Sequence, residues 1–208
     1  APKRALAMHK TGALILAAGL SQRMGERNKL LLPIDGVPMV RRVVQQYRAA
    51  IEGPITVVTG HEAEAVQAVL SDLDVRCVVN PEYAKGQQTS VAFGLAQCPE
   101  VEALLIGLGD QPLLRASDIV ALLDVHARLA PMQVSIPALD DIRGNPIVVP
   151  HQLRAQLTRD PERPGCMRFT RDNPDMVHRH PLTAKGFYTD VDTPDSYAAL
   201  CLEWEHPS

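Results

Sequence analysis

The sequence predicts a single three-layer α/β domain built on a doubly wound, mostly parallel sheet. Extended apolar runs alternate along the chain with amphipathic helical patterns. The runs are short, rich in Val and Ile, and flanked by Gly, Pro or Asn, as strands buried on both faces are. At 208 residues the chain can bury one large core but not two ordinary ones, and it holds no internal repeat, low-complexity tract or linker.

Residues 1–12, APKRALAMHKTG, read as a flexible arm; they lack the long apolar core of a secretory signal, and the domain is expected to span 13–208. The strands are ALILA (13–17), ITVVT (55–59), VRCVV (75–79), ALLIGL (103–108), VSIP (134–137) and IVV (147–149). Val40, Val43, Val44, Tyr47 and Ala50 recur at helical spacing, and Val66, Val69 and Leu70 mark a second helix. Ile119, Leu122, Leu123, His126 and Ala130 line a third, with Ser117 placed as its N-cap. Proline concentrates after residue 130, where irregular connections are expected.

Composition excludes several functions. A net charge of −3 gives no overall attraction to nucleic acid or an anionic membrane. No apolar run reaches the ~18 residues a spanning helix needs. Cys77, Cys98, Cys166 and Cys201 stand singly, without a CxxC pair or zinc-like His spacing, which reads as reduced thiols in a cytoplasmic protein. Cys77, inside a strand, reads as core.

A doubly wound sheet binds ligands beyond the C-terminal ends of its strands. The first strand ends in Ala17-Ala18-Gly19, where small residues and a glycine admit close approach of the backbone to a ligand. Arg23 and Lys29 follow within ten residues of Gly19, and two cations beside bare amides suit a triphosphate. The stretch is neither a P-loop, since Gly19 to Gly25 is one residue too long and Glu26 stands where Lys is needed, nor a G-x-G-x-x-G fingerprint. Read singly, each of these residues is an ordinary turn residue or solvated cation.

GLGDQP (107–112) puts Asp110 at a strand tip, where a lone carboxylate followed by Pro suits a divalent cation or, equally, a turn cap. YTDVDTPDSY (188–197) adds Asp190 and Asp192 ahead of a helix start, with Thr193 as N-cap and Pro194 at the first helical position. Asp190 is favoured slightly over Asp192 as the second metal ligand. NPEYAKGQQTSVAFGL (80–95) ends a strand at Asn80-Pro81, frees the backbone at Gly86 and opens a helix near Ser90, a helix start able to read a base edge. RGNP (143–146) reads as a turn between two short strands. His61, after the second strand, reads as a capping residue, and Cys166 as a buried structural thiol.

Together, L-A-A-G-x-S-x-R-M-G followed by K-L-L-L, the G-D-x-P and D-x-D-T-P motifs and the 80–95 run resemble the MobA-like nucleotidyltransferases, more narrowly the molybdenum cofactor cytidylyltransferases of the MocA type. Three residues separate Gly25 from Lys29, where many such enzymes have two. The resemblance covers about residues 13 to 200. It implies a three-layer, Rossmann-like sheet of the nucleotide-diphospho-sugar transferase type, and transfer of CMP from CTP to molybdopterin with release of pyrophosphate. It implies nucleotide contacts at Leu16, Ala17, Ala18, Gly19, Arg23, Lys29, Asn80, Gly86, Ser90 and Gly109, with Arg23, Lys29 and Asp110 catalytic. Asp110, Asp190 and Asp192 would hold Mg²⁺. Arg143, Gly144 and Asn145 would face the acceptor, and an apo molybdenum hydroxylase or its insertion chaperone would take the product. Ala18, where guanylyltransferases carry a second glycine, narrows the pocket and favours CTP over GTP. A sugar- or alcohol-phosphate acceptor, or a non-catalytic molybdopterin carrier, are the competing readings.

Overall fold

The first strand, β1 (His9–Ala17), is apolar on both faces because both are covered. Ala13, Ile15 and Ala17 enter one hydrophobic cluster, while Leu14 and Leu16 enter the other, as the two-residue period of a strand requires. The structure, a computed structural model, describes residues 9–25, 27–160 and 165–205 of the 208. In chain order there follow β2 (Pro33–Ile34), β3 (Val37–Pro38), α1 (Met39–Ala50), β4 (Ile55–Thr59), α2 (Ala63–Ala68), β5 (Arg76–Val79), α3 (Gln87–Gln97) and β6 (Val101–Leu108). The second half adds α4 (Ala116–Leu129), β7 (Val134–Leu139), β8 (Ile142–Arg143), β9 (Ile147–Pro150), α5 (His151–Arg154), α6 (Cys166–Asp172), β10 (Val177–His180) and α7 (Pro194–Glu205).

The main sheet runs β10-β7-β9-β6-β1-β4-β5, with β8 paired to β7. β1 is parallel to β4 and β6, β4 to β5, and β7 to β10, whereas β9 runs antiparallel to β6 and β7. The chain winds from β1 through β4 to β5, then crosses to β6 on the other flank of β1. The switch point therefore opens at the C-terminal ends of β1 and β6, the position where such sheets take ligands.

Helices α1, α2 and α4 cover one face, burying Val40, Val43, Val44, Tyr47, Val66, Ile119 and Leu122 against β1, β4 and β6. Helices α3, α5 and α6 cover the other, burying Val91, Leu95, Leu153 and Phe169. Each fully buried Val, Leu or Phe contributes roughly 1.5–3 kcal/mol of transfer free energy.

Four expectations need correction. β1 begins at His9, inside the stretch read as an arm, because His9, Thr11 and Gly12 pair with Val101, Ala103 and Leu104 of β6; residues 1–8 lie outside the described residues. The IVV run is antiparallel, since β7, β8 and β9 form a hairpin through the left-handed Asp140. Arg115, not Ser117, caps α4, whose start is fixed by the Asp118 carboxylate accepting the Arg115 N–H at 2.9 Å. Cys77 is only half-buried, because β5 is the edge strand.

Candidate active site

The segment after β1 explains why its leucines return so quickly. Met24 and Leu30 are buried and pin the loop at two points. Between them Ser21 takes a left-handed conformation, and its hydroxyl accepts the Lys29 N–H at 3.2 Å. The Asn28 side chain accepts the Leu30 N–H at 3.1 Å and so caps a short 3₁₀ turn over Lys29–Leu31. Lys29 thus stands on a rigid turn rather than on a free loop. A Cβ at Gly19 would meet nothing within 4 Å, so the space beside this glycine is open to a ligand. Glu26 lies outside the described residues.

The opposite wall is tied to the same strands. Gly109 N–H donates to Leu16 O at 2.9 Å, splicing the end of β6 to β1 and placing Asp110 beside the loop. Val191 N–H donates to Asp110 O at 3.0 Å, and the buried Gln111 amide donates to Phe187 O at 3.2 Å, so the segment carrying Asp190 and Asp192 is stitched to the Asp110 turn. Thr193 Oγ1 accepts the Ser196 N–H at 3.1 Å, the expected N-cap of α7. The neighbouring carboxylates are therefore not consumed in capping.

These walls meet at Lys29. Its Nζ lies 2.5 Å from Asp110 Oδ2 and 2.7 Å from Asp192 Oδ1, residues 81 and 163 positions away. Arg23 adds a looser contact to Asp192 at 3.5 Å, with its side chain 72% exposed. Burial pulls the Lys29 ammonium down, but Asp110 and Asp192 outweigh it and the net shift is upward. The hydrogen bond from Lys29 holds Asp192 below the usual carboxylate range, against its burial. Asp190 is pushed up, first by burial and then by repulsion from Asp110 and Asp192. Asp192, rather than Asp190, shares the lysine with Asp110.

Could these residues hold a divalent cation? Asp110 Oδ1 is buried with no hydrogen-bond partner among the described residues, and two carboxylates converge where a cation already sits. No set of three metal-ligating side chains is preassembled among the described residues. Two carboxylates with the balance of oxygens from phosphate and water suit Mg²⁺. The donor set fits.

Around this point lies a cleft of about 440 Å³. The predicted Leu16, Ala17, Ala18, Gly19, Arg23, Lys29, Gly86, Ser90, Asp110, Asp190 and Asp192 all line it. Asn80 and Gly109 do not. Asn80 lies buried behind the wall, donating to Ser90, and Gly109 serves the β1–β6 splice. Tyr83, Ala84 and Gln87 also line the cleft; they sit inside the 80–95 run, yet nothing in their residue types separated them from helix-start residues. His61 stays outside the lining, near Glu62 and Tyr83.

Arg143, Gly144 and Asn145 are not in the cleft lining either. Their turn packs on the segment that leads to Asp190: Asn145 N–H donates to Phe187 O at 2.9 Å, and a Cβ on Gly144 would fall 2.8 Å from the same oxygen. The Arg143 guanidinium donates to Thr170 Oγ1 at 2.5 Å; burial, with Arg179 nearby, lowers its affinity for a proton. Cys166 is buried and its thiol is pushed up to about 12, so it is a structural thiol. A larger hollow of about 740 Å³ lies beside α7 and the start of α4, but its carboxylate, Glu203, is engaged by Lys185 at 2.8 Å. It lacks the converging charges that the 440 Å³ cleft has.

A doubly wound sheet, a glycine-bordered cationic loop at its switch point and two carboxylates meeting that loop define a nucleotide-binding α/β enzyme. Residues 13–179 match the MobA-like NTP transferase domain, and the chain belongs to that family, an enzyme of the nucleotidyltransferase class. Over 181 residues, 85% of this chain, it is 34% identical to the bifunctional protein GlmU of Rubrobacter xylanophilus, and it spans about a third (36%) of that relative's length. The crystal structure of Rv0371c from Mycobacterium tuberculosis H37Rv superimposes with a TM-score of 0.78 at 25% identity, covering 95% of this chain and 100% of that one. Rv0371c has also been solved in complex with manganese (TM-score 0.70, 21% identity, 93% and 98% covered). CMP:2-keto-3-deoxy-manno-octonic acid synthetase complexed with CTP shares the fold (TM-score 0.72, 15% identity, 96% and 100% covered). No helix among the described residues is long and apolar enough to cross a membrane.

Proposed function

We propose that the cleft binds CTP with Mg²⁺ and transfers CMP to the phosphate of a molybdopterin-type acceptor, releasing pyrophosphate. The observation that carries this reading is the meeting of Asp110 and Asp192 on Lys29, at the edge of the loop bordered by Gly19. An acceptor phosphate oxygen attacks the α-phosphorus, the bond from that phosphorus to the β-phosphate oxygen breaks, and pyrophosphate takes the electron pair. No covalent enzyme intermediate is required, so the absence of a paired nucleophile and base among the lining residues fits the chemistry.

The chain's work is alignment and charge. Gly19 admits the phosphates to the loop backbone. Lys29, released from its carboxylates, turns its ammonium to the β- and γ-phosphates, and the exposed Arg23 closes over them. Asp110 and Asp192 are the residues that would hold Mg²⁺, with Asp190 beside them; when bound, the cation draws charge from the α-phosphate and the leaving group. The manganese complex of a protein of the same fold supports a divalent ion here. The Ala18 methyl narrows the pocket and favours a pyrimidine over guanine. The Arg143–Asn145 turn, packed on the segment that carries Asp190, lies on the acceptor side. Four free cysteines fit a cytoplasmic setting, where an apo molybdenum hydroxylase or its insertion chaperone would receive the product.

An acceptor of the sugar-acid or sugar-phosphate kind is the second reading, favoured by the likeness to the octonic acid synthetase. Mass spectrometry of the product formed from purified molybdopterin with CTP, GTP, UTP or ATP tests both. The first reading expects a cytidylylated pterin; a guanylylated product, or no product with any nucleotide, overturns it. Pyrophosphate release excludes a pure carrier.

A further inference from the structure

Behind the base-side wall of the cleft, a chain of hydrogen bonds has its direction fixed from one end. The Glu82 backbone N–H donates to Asn80 Oδ1 at 2.9 Å, and a backbone N–H can only donate. That contact settles which way the Asn80 amide faces. Its NH₂ group is thereby turned to Thr89 Oγ1 and Ser90 Oγ, both at 3.0 Å, and it donates to both. Thr89 sends its own proton to the Gly86 carbonyl at 2.8 Å. Ser90 accepts from Asn80 and makes no other side-chain hydrogen bond among the described residues, so its proton remains to be donated. Asn80 is 2% and Ser90 3% exposed, and Ser90 lines the cleft, so water has little room to replace this arrangement.

From this polarity we infer that Asn80 is a specificity-determining positioning residue: it makes Ser90 an obligate hydrogen-bond donor, and the cleft therefore selects a nucleobase whose facing edge carries an acceptor. The first-turn N–H groups of α3 reinforce the requirement, because such groups have no acceptor role to offer. Among pyrimidines, cytosine presents N3 and O2 as adjacent acceptors, whereas uracil places a donor, N3–H, beside O2. Where Ser90 meets N3, cytosine is bonded and uracil leaves two donors facing each other. The inference rests on the nucleotide reading of the cleft and adds the reason one base is chosen.

The same chain can be reversed by one atom. In Asn80→Asp the carboxylate still accepts the Glu82 N–H, but its second oxygen now accepts from Ser90. The Ser90 proton turns inward and a lone pair faces the base. Equilibrium dialysis of CTP and UTP, without acceptor, against the wild-type, Asn80→Asp, Ser90→Ala and Ser90→Thr proteins tests this. The wild type should bind CTP more tightly than UTP. Asn80→Asp should lower the CTP:UTP affinity ratio by roughly tenfold, the effect of about one hydrogen bond. That ratio cancels any general repulsion of the triphosphate by the added charge. Ser90→Ala should bring the ratio towards one, and Ser90→Thr should restore it. If both nucleotides bind but the ratio is the same in Asn80→Asp and Ser90→Ala as in the wild type, the inference is overturned while nucleotide binding stands. If the wild type binds neither, the nucleotide reading itself falls, and this inference with it.

Discussion

Replacing Lys29 with Met removes the ammonium that Asp110 and Asp192 share, and stability and turnover should fall while metal affinity rises. A charge pair about 4 Å apart at an effective dielectric near 20 is worth about 4 kcal/mol before desolvation. Stripping one partner from a fully buried pair costs about 3–5 kcal/mol net. Here the side chains of Lys29, Asp110 and Asp192 are 13%, 16% and 35% exposed, so water screens part of the interaction. The loss should be about 2 kcal/mol, read as a drop of roughly 4–8 °C in Tm for a chain of this size. Mn²⁺ affinity of the nucleotide-free protein should rise by on the order of tenfold or more, because the ammonium no longer competes for the two carboxylates. Turnover should nevertheless fall by roughly 10²-fold or more, through loss of a cation on the leaving phosphates. Thermal unfolding, electron paramagnetic resonance of Mn²⁺ and pyrophosphate release supply the three readouts. Unchanged or weaker Mn²⁺ binding in a folded Lys29→Met protein would refute the shared-seat reasoning.

Other expectations follow from the packing. Tyr47 is fully buried with no partner for its hydroxyl among the described residues, so Tyr47→Phe should be neutral or stabilise by up to about 1 kcal/mol; clear destabilisation in urea would contradict this. A Cβ on Gly186 would sit 2.5 Å from Leu114 Cα, a backbone atom that cannot swing aside, so Gly186→Ala should cost about 1–3 kcal/mol and also lower turnover by disturbing the Asp110 turn. A wild-type midpoint in the variant would show that the turn gives way freely. His180 shares Ser135 Oγ with His126, and burial, with His178 and His126 nearby, lowers it to about 4. Since the unfolded side chain titrates near 6.5, the unfolded state binds more protons between about pH 4 and 6.5, and stability should rise with pH across that window, by at most about 1.4 kcal/mol per pH unit. His180→Gln should flatten the slope; an unchanged slope would acquit this residue.

The central strands were legible because burial on both faces writes itself as an unbroken apolar run: ITVVT and ALLIGL became β4 and β6 with little change of boundary. β10, VHRH, was not, since an edge strand need not be apolar, and its buried His180 side chain serves a polar contact with Ser135. β2 and β3 are two residues each, too short for a periodicity, although Asp35-Gly36 between them is a readable turn. At the site, the residue types were readable but their partners were not. Lys29 and Asp192 lie 163 positions apart, and spacing says nothing about which of Asp190 and Asp192 the lysine meets. Asn80 illustrates the same limit. Its effect runs through the direction of hydrogen bonds, which residue identity alone does not carry.

The most direct test of the account is pyrophosphate release by the purified protein with Mg²⁺, CTP and molybdopterin, each omitted in turn, alongside Asp110→Ala of verified fold. Release should require all three components and should fall by roughly 10²-fold or more in the variant. Equal release without acceptor, or undiminished release from Asp110→Ala, would contradict it.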